Sequence, residues 1–348
     1  MLHQPTPDPA WATEPQTPHP FSWFVAILGR GKTKQRPLTL AESQEAMEMI
    51  HAGEVLPEQI GAFLMLLRLK EEAPEEIAGF VLGTRSTFQR PDNLPQVDLD
   101  WSSYAGKRIQ LPWFVLSVMA LVNSGVRVVM HGTEGHTAGR TYTRGVLDRL
   151  GFPAVLSFDE AARQVEARGF AYMPLEVMSP VLRHLIELRP IFGLRSPVHS
   201  FSRMLNPFDA PTMMQGIFHR GFMDIHAGAA RLLEQPRMAV FRGEGGEIER
   251  RPNKPTQVWT TLGAAEPLVE TWPAILPEPH QEADLEMDPD NLLRVWHGQS
   301  EDAYAVASVL GTLAVTLKTM GRADSMEAAE ALAADIWADR DRGLLPNP

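Results

Sequence analysis

The hydrophobic periodicity of this chain changes character at residues 91–96, and that change limits the architectures open to it. Before the change, apolar residues recur only at spacings of three and four, the signature of helices with one buried face. Phe21, Phe24, Val25 and Leu28 form the first stripe, and Gly29 ends it. Thr39 and Glu42 have the spacing of a capping box and open a second helix that closes at Gly53. Pro57 opens a third, burying Ile60, Phe63, Leu64 and Leu67; Pro74 opens a fourth, with Glu75 and Glu76 near its positive end. Residues 21–88 read as a helical bundle.

Beyond Gln96 short β-branched runs alternate with helical patterns, the grammar of an α/β domain whose ligand loops follow the C-terminal ends of parallel strands. The spacing predicts helices over 111–121, 144–150 and 179–188, a mainly helical stretch over 213–233, and strands over 126–130, 154–158, 170–173 and 237–241. Residues 278–293 carry six acids and no Lys or Arg, as a solvated excursion does. An apolar helix over 303–320 stops at Gly321, and Asp324 with Glu327 repeats the capping-box spacing before a last helix. The chain is thus expected to be an α/β two-domain protein. A small α-helical domain covers 21–90, joined by helices from 175–200, and a larger α/β domain with a mostly parallel sheet covers 96–174 and 201–345. Residues 1–20, with six prolines, are expected to form a flexible arm.

The 348 residues contain no cysteine, which excludes disulfides, thiolate catalysis and Cys-ligated metal centres. No apolar run is long enough for a signal peptide or a bilayer span, so the expectation is a cytoplasmic protein with no membrane partner. The formal charge of −11 means that any nucleic-acid site must be a local basic feature. The strongest such feature is 30–36, where Arg30, Lys32, Lys34 and Arg36 stand without an acid; a second is the small-residue stretch Ser102, Ser103, Gly106, Lys107 and Arg108. Both suit phosphates, and both suit ordinary solvated loops. The loop 131–140, with three glycines, His131, Thr133 and Thr137, reads either as a ligand loop or as a plain connection; its histidines lack the HExxH spacing of a zinc site. Glu244, Glu247 and Glu249 flank a glycine turn and can serve Mg²⁺ or pair with Arg242, Arg250 and Arg251.

Residues 24–334, with Val126 to Gly151 the most recognisable segment and Gly29 to Lys34, Asp100 to Arg108 and Gly243 to Glu247 as narrower marks, resemble the anthranilate phosphoribosyltransferase-like family, glycosyltransferase family 3, related to nucleoside phosphorylases. More narrowly they look like its divergent second branch, which has nucleic-acid-binding members. The resemblance implies a nucleoside phosphorylase/phosphoribosyltransferase-like fold, a groove between the two domains and a homodimer formed through the helical part. It also implies a phosphorylated ribose ligand, with Mg²⁺ as cofactor where pentosyl transfer occurs. By the same resemblance Ser102, Ser103, Gly106, His131, Gly132, Thr133 and Thr137 are phosphate or substrate positions, Arg195 contacts the acceptor, and Asp224 takes part of a metal-ligand role, with Glu247 of the glycine turn as the other metal candidate. The family's GTGGD-type loop falls at 102–108. Its asparagine-x-serine-threonine pyrophosphate motif reads Gln110-Leu111-Pro112-Trp113 here, and its KHGNR segment reads Met130-His131-Gly132-Thr133-Glu134, without the flanking cations. These departures point to a single-stranded DNA- or RNA-binding protein, with Arg30, Lys32, Lys34, Arg36, Lys107 and Arg108 along a basic groove and without orthodox anthranilate phosphoribosyltransferase activity. The alternative is a pentosyltransferase using phosphoribosyl pyrophosphate or a related sugar with another acceptor.

Overall fold

The computed structural model describes residues 17–31, 33–278, 283–284 and 286–348. Most of the expected arm, 1–16, and Lys32 lie outside the described residues. The first four helices are α1 (Ser22–Gly29), α2 (Leu40–His51), α3 (Pro57–Lys70) and α4 (Pro74–Arg85). Their starts follow local chemistry. The Thr39 side chain accepts from the Glu42 amide at 3.2 Å while the Glu42 carboxylate accepts from the Thr39 amide at 2.8 Å, and Pro57 and Pro74 each occupy a first turn. Helix α4 is buried along most of its length. Gly79 is what lets it lie against α2, because a Cβ there would stand 2.4 Å from the Leu40 carbonyl oxygen.

Seven strands are found among the described residues: β1 (Leu99–Ser103), β2 (Val128–Gly132), β3 (Phe170–Pro174), β4 (Thr212–Ile217), β5 (Arg237–Arg242), β6 (Thr256–Thr261) and β7 (Leu268–Trp272). They form one sheet in the order β3-β2-β1-β4-β5-β6-β7, parallel from β3 to β5 and antiparallel beyond it. The remaining helices are α5 (Phe114–Asn123), α6 (Thr143–Arg149), α7 (Phe158–Arg168), α8 (Leu175–Met178), α9 (Pro180–Glu187), α10 (Arg189–Phe192), α11 (Val198–Phe201), α12 (Met223–Leu232), α13 (Asp290–His297), α14 (Ala303–Thr319) and α15 (Met326–Ala338).

Successive strand residues serve opposite layers, as a pleated backbone requires. Val129, Ala171, Met213, Met238 and Val240 join a core shared with the helical bundle, α7 and α12. Val128, Met130, Phe170, Met214, Ala239 and Phe241 join the opposite core with α5 and α13–α15. An aromatic ladder fastens the bundle to α11: Phe21–Phe63, Phe63–Phe80 and Phe80–Phe201 have ring centroids 5.1, 5.9 and 5.3 Å apart. The small helical domain beside a larger α/β domain with a mostly parallel sheet is the expected fold class. No helix among the described residues is long and apolar enough to cross a membrane.

Several expectations need correction. Residues 212–217 are a strand, not the start of a helix, since TMMQGI is buried on both faces and carries no period-two signal. Residues 154–158 are not a strand: only the Val155 amide reaches Tyr172, and Ser157 already caps α7 through the Glu160 amide. The last long helix is capped by Ser325, not Asp324. The acidic stretch 278–293 is not wholly a solvated excursion, because Leu292 and Leu293 are buried in α13; its residues 279–282 and 285 lie outside the described ones.

Adding a methyl group at Gly79 pushes against backbone, so Gly79→Ala should destabilise the fold by about 1–3 kcal/mol, the cost of overpacking. Gly145→Ala, where a Cβ meets nothing within 4 Å, should not. Thermal unfolding of the two variants beside the parent checks this; equal melting of Gly79→Ala and parent would mean the α2–α4 contact is looser than described.

Candidate functional site

The strand order reverses at β1, which has β2 on one side and β4 on the other. At such a switch point the connections leave in opposite directions and open a crevice at the C-terminal ends of the strands. Here it is a cavity of about 390 Å³, bordered by Ala105 just past β1 and by Ile217 and Phe218 at the end of β4. Its far wall comes from the 189–203 segment, with Arg68 of α3 and His226 of α12 completing it.

Arginine dominates this cleft. Arg140, Arg189, Arg195 and Arg203 all line it. Arg140 donates to the Ala105 and Gly106 carbonyls at 3.0 and 2.9 Å, and Arg203 to the Gly216 and Gly246 carbonyls at 2.9 and 3.0 Å. Arg189 and Arg195 converge on one neutral oxygen, the Thr137 hydroxyl, at 2.6 and 2.9 Å. That hydroxyl also stands 3.0 Å from His136 Nδ1, while His136 Nε2 is 2.7 Å from the Tyr104 carbonyl. A carbonyl can only accept, so the imidazole proton belongs on Nε2 and the Thr137 hydroxyl donates to Nδ1. Among the described residues none of these four guanidinium groups forms an ion pair with a carboxylate.

The result is positive charge without a salt-bridged carboxylate in a partly desolvated space, although the Glu247 charge is felt at Arg203. Burial, then repulsion from Arg189, Arg140 and Arg203, lowers Arg195 to about 10. Burial in the first place, with the arginines adding to it, takes His136 to about 4 and His199 to about 3, and burial followed by Arg203 takes His226 to about 3. His199 Nε2, His226 Nδ1 and the Ser196 hydroxyl are buried without a hydrogen-bond partner. Arginines held only by neutral oxygens, beside neutral imidazoles, make a receptor for an anion.

Two internal carboxylates occupy backbone amides in and beside the segments expected to hold phosphate. Glu247 Oε1 accepts from the Ala105 and Gly106 amides, both at 2.6 Å, in the turn after β1. Glu249 Oε2 accepts from the Phe114 amide at 2.9 Å at the start of α5, and its other oxygen pairs with Lys107. Lys107 and Glu249 are both buried, and burial raises the Glu249 pKa even though Lys107 opposes the rise. Gly243 allows this approach, since a Cβ there would lie 1.6 Å from the Glu247 carbonyl oxygen.

These contacts sort the expected site residues. Thr137 and Arg195 stand together in the cleft. Thr133 is buried and accepts from Arg183. His131 is corrected: it is fully buried, with Nδ1 paired to the Tyr104 hydroxyl at 2.9 Å and Nε2 3.4 Å from Asp100, and does not line the cleft. Ser102 is buried, the Ser103 hydroxyl is bound to Thr143 at 2.6 Å, and Gly132 packs so tightly that a Cβ would lie 2.0 Å from the Ser103 carbonyl. Gly106 contributes its amide, but to Glu247. Lys107 is corrected as a nucleic-acid contact because it is sealed inside with Glu249. Arg36 is spent on both oxygens of Glu42, each at 2.7 Å, and holds that carboxyl down to about 2. Arg30, Lys34 and Arg108 are exposed.

Magnesium does not fit the expected ligands. Glu247 is buried and committed through one oxygen to two amides, Asp224 is exposed on the first turn of α12, and no group of three potential ligands occurs among the described residues. Sequence reasoning missed Arg140, Arg189 and Arg203. The available signal was the 189–203 segment, which has three arginines and no acid.

Comparison with known proteins agrees with this architecture. Residues 27–87 match the glycosyl transferase family helical bundle domain. The anthranilate phosphoribosyltransferase of Methylocella silvestris is 30% identical over 223 residues, 64% of this chain and 63% of that protein, so the match spans less than two thirds of that relative. That of Moorella thermoacetica is 28% identical over 312 residues, 85% of this chain and 88% of that one. Among solved structures, the anthranilate phosphoribosyltransferase from Thermus thermophilus superimposes with a TM-score of 0.74 at 23% identity, covering 92% of this chain and 96% of its own. The Saccharomyces cerevisiae enzyme in complex with PRPP and Mg gives 0.73 at 17%, covering 91% and 93%. At these identities the structural likeness is one of fold. The protein thus has the fold that pairs a glycosyl transferase family helical bundle domain with an α/β domain. Within that fold, its sequence is similar to the anthranilate phosphoribosyltransferases.

The cleft histidines have a pH consequence. Their folded pKa values lie below the ordinary 6.5, so between pH 6.5 and the folded values the unfolded chain binds more protons. Their contribution to stability is complete above pH 6.5 and is lost as the pH falls toward 4. Unfolding midpoints measured across that range should fall on acidification, and His199→Gln should fall less steeply than the parent. Parallel curves would show that His199 is not held neutral by the cleft.

Proposed function

We propose that this protein binds single-stranded nucleic acid through the arginine-lined cleft and lacks orthodox anthranilate phosphoribosyltransferase activity. The observation that carries this reading is the pairing of two facts: Arg140, Arg189, Arg195 and Arg203 line the cleft without a carboxylate partner, while Glu247 and Glu249 occupy the amides of the two expected phosphate loops. A magnesium-bound pyrophosphate needs carboxylates for the metal and amides for its oxygens. A phosphodiester strand needs cations, which the cleft supplies. Arg30, Lys34 and Arg108 add exposed charge along the same molecule. A homodimer belongs to this reading: Trp23 on α1 and Leu69 on α3 are 53% and 84% exposed, apolar surface that a second copy would cover.

A pentosyltransferase is the second reading. It is favoured by the site's place at the switch point and by a cavity of about 390 Å³, a size suited to a phosphorylated small molecule.

Fluorescence anisotropy of a labelled single strand over a salt series distinguishes them. Arg189→Ala/Arg195→Ala should weaken binding across many sequences and reduce the logarithmic salt slope by about 0.7 for each phosphate that is no longer neutralised. Calorimetry should give no saturable binding of phosphoribosyl pyrophosphate with Mg²⁺. Unchanged nucleic-acid binding by the double variant, or robust conversion of anthranilate, overturns the proposal, and a monomer by light scattering removes its dimer.

A further inference from the structure

Just outside the cleft, at the end of β4, Phe218 is 48% exposed although it borders the arginines. Its ring is in edge contact with His219, centroids 4.9 Å apart, and the Arg242 guanidinium lies 5.7 Å from its centroid. Arg242 is pinned there because its Nε donates to the Phe218 carbonyl at 3.1 Å. Arg242, with Arg220, Arg251 and Lys254, borders a second, small cavity of about 60 Å³ whose lining shares no residue with the cleft. Arg251 is neutralised by Glu244, but Arg220, Arg242 and Lys254 have no ion pair among the described residues. A large exposed aromatic ring therefore sits between two cationic patches.

That alternation suits one ligand chemistry. Phosphates need cations and unpaired bases need flat apolar faces, at successive positions along one strand. An acidic peptide would use the cations but has no need of the ring. Resting on the nucleic-acid reading above, we propose that a single strand leaves the arginine cleft across Phe218, on which one base stacks, and that its following phosphates lie on Arg220, Arg242 and Lys254. The contact is indifferent to sequence, because every base offers a π-face, whereas the patch beyond it is read through charge alone.

The test is anisotropy with a labelled oligothymidylate, the corresponding abasic strand and a labelled polyglutamate. Phe218→Ala should weaken oligothymidylate binding about tenfold with an unchanged salt slope, since an uncharged stack is removed. Phe218→Trp should restore it, and parent and Phe218→Ala should bind the abasic strand equally. Arg220→Ala/Lys254→Ala should lower the salt slope by about 0.7 for each phosphate those side chains neutralise. If Phe218→Ala and Arg220→Ala/Lys254→Ala both match the parent while Arg189→Ala/Arg195→Ala loses binding, this path is wrong and the cleft reading stands. If the cleft variant also matches the parent, the cleft reading falls and takes the path with it. Tighter binding of polyglutamate than of oligothymidylate overturns the choice of nucleic acid as the occupant.

Discussion

The Glu247 and Glu249 carboxylates govern how this molecule can meet an anion. Backbone amides after a parallel strand and at a helix start are the donors that phosphate-binding α/β proteins leave open. Here Glu247 fills the first set and Glu249 fills the second while also neutralising Lys107. Both acids are buried, so neither is readily exchanged for solvent or ligand. With the amides closed, the charge recognition that remains at the crevice is carried by side chains, namely the guanidinium groups of Arg140, Arg189, Arg195 and Arg203.

Those arginines lie within a chain of net charge −11. The two facts are compatible because solvent-exposed charges are screened over about 8 Å at physiological ionic strength, while partly buried charges interact over the same distance with less loss. A distant acid on α13 thus does little to the potential inside the cleft, whereas Arg189 beside Arg195 is felt strongly enough to help lower Arg195 to about 10. The neutral histidines have a matching role: by staying unprotonated near pH 7, His136 and His199 avoid adding to a repulsion that the fold already has to tolerate.

How much of this was legible in the sequence depended on whether each feature is local. The boundaries of α2, α3 and α4 were readable because a cap or a proline sits within one turn of each start. Strand β4 was not, since burial on both faces removes alternation and its methionines and glycine carry no β-propensity. The resemblance led to the fold, yet the roles assigned to single residues depended on partners far away in sequence. Lys107 has the sequence surroundings of a surface cation, and only its partner, 142 residues on, makes it an internal one. Arg140, Arg189, Arg195 and Arg203 are singly unremarkable and become a site only when the 189–203 segment and the loop after β2 are brought to the same crevice. Ser102 and His131 failed for the complementary reason: a strand that ends at a ligand loop still points alternate residues into its own core, and these two point inward.

A fold can be kept while the group it was built around is replaced, because the switch-point crevice is a consequence of strand order and not of any one side chain. Open amides, as donors, and carboxylates, through a metal, hold a compact pyrophosphate directionally; guanidinium groups supply many donors with little demand on the shape of what they hold. On the reading proposed above, such a surface suits retention of a flexible polyanion, whereas stabilisation of charge at one reacting carbon requires fixed dipoles aimed at one point. In this protein the fixed dipoles are aimed at Glu247 and Glu249, and the cleft is left with charge.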